Sequence, residues 1–312
     1  MKVILANPRG FCAGVNMAIE CVDEVLRLKG PPVYVYHEIV HNRHVVEDFK
    51  SRGVTFVDHV SEVPEGSILV YSAHGISPAV RAEARARRLT EIDATCPLVT
   101  KVHMEVLRYA RDGYTIIFVG HRNHDEALGT IGEAPDNIIV VESAEEVATL
   151  RVRDENKIAF VTQTTLSVSD AMRVIDALRA RFSKIRHPEK DDICYATTNR
   201  QEAVTQWSAE VDLVIVIGSR NSSNSLRLVE RAKEQGTTAY LIDDQSQIDA
   251  AWFIDKRAVL VTAGASAPEH LVKALLDRLA RDFGGVVEQR TLVEEDISFN
   301  SPHTLRRLAV LP

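Results

Sequence analysis

Three cysteines stand at equivalent elbows in a chain that repeats its own pattern. Cys96, in Asp93-Ala94-Thr95-Cys96-Pro97-Leu98-Val99, follows an apolar run and precedes an amphipathic stretch with helical spacing that opens at Pro97. Cys12, in Asn7-Pro8-Arg9-Gly10-Phe11-Cys12-Ala13-Gly14, lies between the apolar run Val3 to Ala6 and another helical pattern. Cys194 comes just ahead of a third, Gln201 to Val211. The three are 84 and 98 residues apart, one per third of the chain. Such an elbow puts a thiol at a helix N-terminus, where free N–H groups and the positive end of the dipole favour thiolate.

The self-similarity extends beyond the cysteines. Cys12 is followed after 29 residues by His41, Cys96 after 28 by His124, and Cys194 after 28 by Ser222. Gly120-His121-Arg122-Asn123-His124 reads like Gly218-Ser219-Arg220-Asn221-Ser222, and a further set of loops matches at Ser72-Ala73-His74-Gly75, Thr162-Gln163-Thr164-Thr165 and Thr262-Ala263-Gly264-Ala265-Ser266. Repetition at a fixed period outranks any single motif. It predicts three pseudo-repeated α/β units, 1–96, 97–194 and 195–283, with 284–312 as a C-terminal strand and tail.

Within each unit strand-like and helix-like runs alternate. Val3 to Ala6, Val33 to Tyr36 and Ile68 to Tyr71 read as strands in the first, with helices at Ala13 to Leu28 and Ala79 to Arg88. Thr115 to Val119, Ile138 to Val141 and Lys157 to Val161 follow, then Leu213 to Ile217, Ala239 to Ile242 and Ala258 to Val261, with a closing helix from Glu269 to Asp282. Such alternation predicts mostly parallel sheet with crossover helices, and ligands in such sheets collect at the carboxyl ends of the strands, where the polar loops fall.

A formal charge of −7 argues against a general nucleic-acid or anionic-membrane binder. No apolar run approaches the ~20 residues of a membrane span. The first strand opens at Val3, so no signal peptide is expected, and four widely spaced cysteines then read as ligands or bystanders in a reducing cytoplasm.

Three thiolates brought together would leave one position for another ligand. A [4Fe-4S] cubane with a non-cysteine iron fits that count, and zinc with three cysteines and a histidine fits it as well. Spacing does not separate the two. The loops add His41, His74, His124, Thr164, Ser222, Ser223, Asn224 and Ser266, mostly neutral hydrogen-bonding groups near helix starts, which suit a phosphate or diphosphate. Glu126, two residues past His124, is placed to supply a proton. The bland readings are helix caps for Ser222, Ser223 and Asn224, a buried small hydrophobe for Cys21, and structural or solvent-facing roles for the other histidines.

With Asn7-Pro8-Arg9-Gly10-Phe11-Cys12-Ala13-Gly14, Ser72-Ala73-His74-Gly75, Asp93-Ala94-Thr95-Cys96-Pro97-Leu98-Val99, Thr162-Gln163-Thr164-Thr165-Leu166-Ser167, Ala196-Thr197-Thr198-Asn199-Arg200-Gln201 and Ser222-Ser223-Asn224-Ser225, the chain resembles the 4-hydroxy-3-methylbut-2-enyl diphosphate reductases across about residues 1–299. The resemblance implies a trefoil of three α/β units around one central [4Fe-4S] cluster held by Cys12, Cys96 and Cys194. It implies that His41, His74, His124, Ser222, Ser223, Asn224 and Ser266 take the substrate's diphosphate. Glu126, with His124 and a relay through Thr164, would deliver protons. Ferredoxin or flavodoxin would supply electrons, and the products would be isopentenyl and dimethylallyl diphosphate, with no nucleic acid or membrane involved.

The family's Pro-Glu-Val-Glu-Gly is here Asp125-Glu126-Ala127-Leu128-Gly129. The proton donor survives, while the proline's stiffness and the second carboxylate do not, so altered loop dynamics or rate is expected sooner than lost activity. The segment Ser298 to Pro312 matches weakly and has no expected role beyond covering the cleft. Competing readings are another three-unit cluster enzyme, dehydratase-like or quinolinate-synthase-like, in which the cluster only polarises a hydroxyl; an iron–sulfur sensor, for which no recognition module is found; and a zinc hydrolase.

Overall fold

The computed structural model describes residues 1–190 and 192–308; Asp191 and the last four residues of the expected tail lie outside the described residues. The chain opens with β1 (Lys2–Asn7), α1 (Ala13–Lys29), β2 (Val33–Tyr36), α2 (Arg43–Ser51), β3 (Val54–Val57), β4 (Ile68–Tyr71), α3 (Pro78–Ala86) and β5 (Thr90–Asp93). It continues through α4 (Pro97–Arg111), β6 (Thr115–Val119), α5 (Asp125–Glu133), β7 (Ile138–Val141), α6 (Ala144–Thr149), β8 (Ile158–Thr162) and α7 (Val168–Arg181). It closes with α8 (Tyr195–Ser208), β9 (Leu213–Ile217), α9 (Ser223–Glu234), β10 (Ala239–Ile242), β11 (Ala258–Ala263), α10 (Glu269–Phe283), β12 (Val286–Thr291) and α11 (His303–Leu308).

Three sheets result, and every strand pair among the described residues is parallel. The chain divides into two compact bodies: residues 1–15, 41–48 and 195–297, and residues 16–40, 49–194 and those from 298 onward.

The first body holds one sheet in the order β10-β9-β11-β1-β12. All five residues of β9, Leu213-Val214-Ile215-Val216-Ile217, are buried. Successive side chains point to opposite faces, so an unbroken apolar run belongs to a strand covered on both sides. Leu213, Ile215 and Ile217 accordingly pack with Val3, Leu5, Leu271 and Leu275 on one face. Val214 and Val216 pack with Ile4, Ala6, Trp207 and Leu228 on the other. Each fully buried aliphatic side chain contributes roughly 1.5–3 kcal/mol.

The second body holds two sheets, β3-β2-β4-β5 and β7-β6-β8. The same division recurs in the latter, with Ile117, Val119 and Phe160 on one face and Ile116, Phe118 and Val161 on the other.

Sheet membership departs from the expected contiguous segments at two places. β1, from the segment 1–96, pairs with β11 at Lys2↔Ala258 and with β12 at Lys2↔Val286. β12, from the expected tail, therefore joins the sheet built from 195–283. Val3 to Ala6 fit there because the slot between β11 and β12 buries both faces; a local apolar run does not encode which distant strand it pairs with. With β1 so placed, the strand order repeats three times: β3-β2-β4-β5, β10-β9-β11-β1, and β7-β6-β8 followed by a parallel bridge between Ala159 and Arg186 where a fourth strand would lie.

Each fourth-position segment runs a few residues ahead of a cysteine. The tail also forms α11, whose Leu305 is buried and whose Thr304 Oγ1 accepts the Asp93 N–H of β5 at 3.1 Å.

Candidate active site

The three elbow cysteines occupy one backbone environment. Cys12, Cys96 and Cys194 immediately precede α1, α4 and α8, and Cys96 is the N-cap of its helix with Pro97 at the first helical position. The Cys96 N–H donates to Ala73 O at 3.0 Å, the Cys194 N–H to Thr164 O at 3.0 Å, and the Cys12 N–H to Ala265 O at 3.2 Å. Ala73, Thr164 and Ala265 belong to the three loops that the sequence repeat aligns, so the repeat persists in individual hydrogen bonds.

All four cysteines are free thiols. The three at helix starts are half-exposed, whereas Cys21 is buried inside α1 and its thiol is pushed up to about 12, first by burial and then by the charge of Asp93. A free, half-exposed thiol at a helix start is of the kind that ligates a soft metal or an iron–sulfur group.

In the first body, residues expected to bind an anion take part in two runs of neutral hydrogen bonds. Ser222 caps α9, its Oγ accepting the Ser225 N–H at 3.3 Å. Ser266 Oγ lies 3.4 Å from Ser222 Oγ and donates to His41 O at 2.9 Å. Asn224 Oδ1 accepts the Ala265 N–H at 2.8 Å, and Asn224 Nδ2 donates to Thr197 Oγ1 at 3.4 Å. Through Ala265 the second run reaches the Cys12 backbone. Ser222, Ser223, Asn224 and Ser266 are all buried, and His41 is half-buried.

In the second body, Glu126 is 2% exposed. Its Oε1 accepts the Thr164 N–H at 2.6 Å and its Oε2 accepts the Thr164 hydroxyl at 2.9 Å. Burial pushes the carboxyl up to about 7, the two bonds from Thr164 oppose the rise, and the charge of Asp192 adds to it. A carboxyl tuned there is half-protonated near neutrality, the condition for donating and reclaiming a proton.

His124 caps α5, its Nδ1 accepting the Glu126 N–H at 3.2 Å, so the neutral ring carries its proton on Nε2. His74 meets His124 edge to face with ring centroids 5.9 Å apart, and its Nδ1 is 3.3 Å from Ser72 Oγ.

The departure at Asp125 has a structural counterpart. Asp125, first residue of α5, sits where the helix dipole favours a carboxylate. Its Oδ1 lies 2.9 Å from His37 Nδ1 and its Oδ2 4.0 Å from His74 Nδ1. The hydrogen bond that the protonated His37 ring donates to Asp125 raises the His37 pKa. The Asp125–His37 contact joins the start of α5 to the end of β2, and Leu128 is exposed.

Sequence reasoning missed three features. Ser225 is wedged between Gly218 and Gly264; a Cβ at either glycine would meet Ser225 Oγ at 2.2 or 2.0 Å. The paired glycines were a signal, though only the fold shows that they face each other. Arg200 is fully buried, donating to Gly10 O at 2.8 Å, to Ala196 O at 2.9 Å and to both carboxylate oxygens of Glu295 at 3.0 and 3.2 Å. It thereby fixes the loop leading into Cys12 and the first turn of α8. The Tyr195 hydroxyl oxygen accepts the Ala13 N–H at 3.2 Å beside it.

Parallel sheets with hydrogen-bonding loops at the strand ends, and a carboxyl poised near neutrality in one of them, define an α/β enzyme. Comparison places it further. The LytB protein family model matches residues 3–280, and the chain belongs to that family.

Curated relatives named 4-hydroxy-3-methylbut-2-enyl diphosphate reductase include one from Rhodopirellula baltica, 55% identical over 309 residues covering 99% of this chain and 97% of the relative. Another, from Alcanivorax borkumensis, is 55% identical over 310 residues covering 98% and 100%. The solved E-1-hydroxy-2-methyl-but-2-enyl-4-diphosphate reductase of Plasmodium falciparum is similar with a TM-score of 0.96 at 39% identity, covering 98% of this chain and 97% of that one. A second solved structure, of (E)-4-hydroxy-3-methyl-but-2-enyl diphosphate reductase, the terminal enzyme of the non-mevalonate pathway, is similar with a TM-score of 0.63 at 33% identity, covering 90% of this chain and 100% of that one. By these relationships the chain is an oxidoreductase.

Proposed function

We propose that the chain is a 4-hydroxy-3-methylbut-2-enyl diphosphate reductase. It removes the allylic hydroxyl of its substrate with two electrons and two protons. The C–O bond breaks, one proton leaves with the oxygen as water, the other goes to carbon, and isopentenyl and dimethylallyl diphosphate result. Relatives of that name at 55% identity over nearly the full chain support the reaction. The single observation that carries the chemistry is Glu126, a fully buried carboxyl at about 7 bonded through both oxygens to Thr164.

Cys12, Cys96 and Cys194 would hold one [4Fe-4S] cluster. When bound, it supplies single electrons and a Lewis-acidic iron. The side chains of the protein do the remaining work. Ser222, Ser223, Asn224 and Ser266, gathered at the N-terminus of α9, would take the diphosphate with His41, His74 and His124, using hydrogen bonds and the helix dipole in place of lysines. Glu126 would donate its proton through Thr164 Oγ1, whose hydroxyl can pass one on while accepting another. His124, neutral with its proton on Nε2, is oriented as a donor by the Glu126 N–H on its other nitrogen. Electrons would arrive from a carrier such as ferredoxin or flavodoxin.

The test is anaerobic turnover of the iron-replete protein with reduced methyl viologen, with both diphosphates quantified. Formation of both, strictly dependent on the reductant, is expected. Conversion without reductant would assign a dehydratase-like enzyme instead, and no conversion would overturn the reading.

A further inference from the structure

Two electrons per turnover have to come from another molecule, and one surface of the chain is built to receive such a donor. Among the described residues, α4 is the only helix with two exposed large apolar side chains, Met104 at 61% and Leu107 at 40%. With Lys101, Glu105, Arg108 and Arg111 they line a surface groove of about 510 Å³. Arg108 and Arg111 are exposed at its outer end. Glu105 turns its carboxylate inward, 11% exposed and 3.9 Å from Lys101 Nζ, so it does not cancel the arginines at the surface. Arg111 Nε lies 3.3 Å from the exposed Asp112 Oδ1, so the positive charge beside the apolar centre rests mainly on Arg108.

The helix that carries the groove starts at one elbow cysteine and is bonded to the segment that leads into another. α4 begins at Cys96, and Met104 lies about 12 Å along the axis from it at 1.5 Å per residue. Lys101 Nζ donates to Lys190 O at 2.7 Å and to Asp192 Oδ1 at 3.0 Å, while Asp192 Oδ2 accepts the Thr162 N–H at 2.9 Å. That ties the segment ending at Cys194 to the same helix face.

We propose that this face of α4 is the docking site for a small acidic protein that carries one electron at a time. The proposal rests on the reductase reading. Each encounter oxidises one reduced carrier and delivers one electron, and two encounters complete a turnover. Charge complementarity selects the occupant: the exposed guanidinium of Arg108 at the edge of the apolar centre attracts an acidic carrier. A small apolar centre within a charged rim matches the transient interfaces typical of redox partners.

The experiment uses the iron-loaded full chain, with the double variant Arg108→Glu/Arg111→Glu and, separately, Leu107→Asp. Turnover is driven either by reduced methyl viologen or by a reduced acidic [2Fe-2S] ferredoxin, and binding of oxidised ferredoxin is measured directly. With the dye, all three proteins turn over alike. With ferredoxin, the double variant raises KM for the carrier roughly tenfold or more and loses the wild type's fall in rate with added salt; Leu107→Asp weakens binding without changing the salt dependence.

Unchanged ferredoxin KM and binding in both variants, with normal dye turnover, would overturn the docking site alone. Absent dye turnover in the wild type would overturn the reductase reading and the proposal with it. A wild-type mass of two chains that drops to one in Leu107→Asp would give the face to a second copy of the chain and overturn the proposal.

Discussion

The cluster at the start of α9 and the cluster at the start of α5 are both helix N-termini at the ends of parallel strands, yet they use opposite chemistry. Around Ser222, Asn224 and Ser266 the described side-chain bonds are neutral, and no carboxyl or imidazole side chain takes part in them. Around Glu126 four titratable side chains, His74, His124, Asp125 and Glu126, lie within one turn of α5 and the loop it meets. A neutral cluster keeps its hydrogen-bonding pattern across the working pH range, which suits holding an anion. The Glu126 carboxyl, pushed up to about 7 by burial, changes state near neutrality, which suits moving a proton. Like positions in a repeated scaffold thus carry different chemistry, and under the proposed function the α9 cluster would hold the diphosphate while Glu126 would deliver protons.

Mutations should separate the two. Glu126→Gln keeps a similar shape but removes the exchangeable carboxyl proton; turnover should fall ~10²–10⁴-fold with iron content unchanged. Normal turnover would mean the relay lies elsewhere. Glu295→Ala, beside the neutral cluster, leaves the Arg200 guanidinium buried and unpaired, and chemical denaturation should register a loss of about 3–5 kcal/mol.

Asn224→Ala strands the Ala265 N–H, costing about 1–3 kcal/mol, and should raise the substrate KM while leaving the shape of the pH–rate profile intact. A shifted profile in that variant would erase the distinction between clamp and relay.

The smallest effect concerns pH. The carboxyl of Glu126 in the fold titrates at about 7, above its ordinary 4.5. The folded state therefore binds that proton more tightly than the unfolded chain does. The associated stability is full below about 4.5, declines as pH rises to about 7, and then levels off. Melting temperatures of wild type and Glu126→Gln should diverge across that window, with the variant relatively favoured at the alkaline end. Wild-type kcat should decline above pH 7 as the donor is lost.

How much of this was legible follows from what local sequence encodes. Leu213 to Ile217 announced a fully buried strand because five apolar residues in a row have one consistent solution in a parallel sheet. The cysteine elbows and the serine cap at Ser222 were legible for the same reason, as local patterns with local consequences. β5 was not: Thr90-Glu91-Ile92-Asp93 is mostly polar, lies at the edge of its sheet, and buries only Ile92. The place of β1 between β11 and β12, the Arg200 bonds to Gly10 and Glu295, and the Ser225 slot all depend on residues far apart in sequence, and no periodicity reports such pairings. Cys21 was read correctly as a buried hydrophobe because its helical neighbours Val22 and Val25 already marked that face as interior.

The account turns on three cysteines at helix starts serving one inorganic centre while the fourth serves packing. Iron and acid-labile sulfide per chain, measured after anaerobic purification of the wild type and four single Cys→Ser variants, tests this most directly. The account predicts about four of each in the wild type and in Cys21→Ser, with loss or degradation of the centre in the Cys12, Cys96 and Cys194 variants. A colourless protein containing zinc and no sulfide, or a centre that survives replacement of Cys12, Cys96 or Cys194, would contradict it.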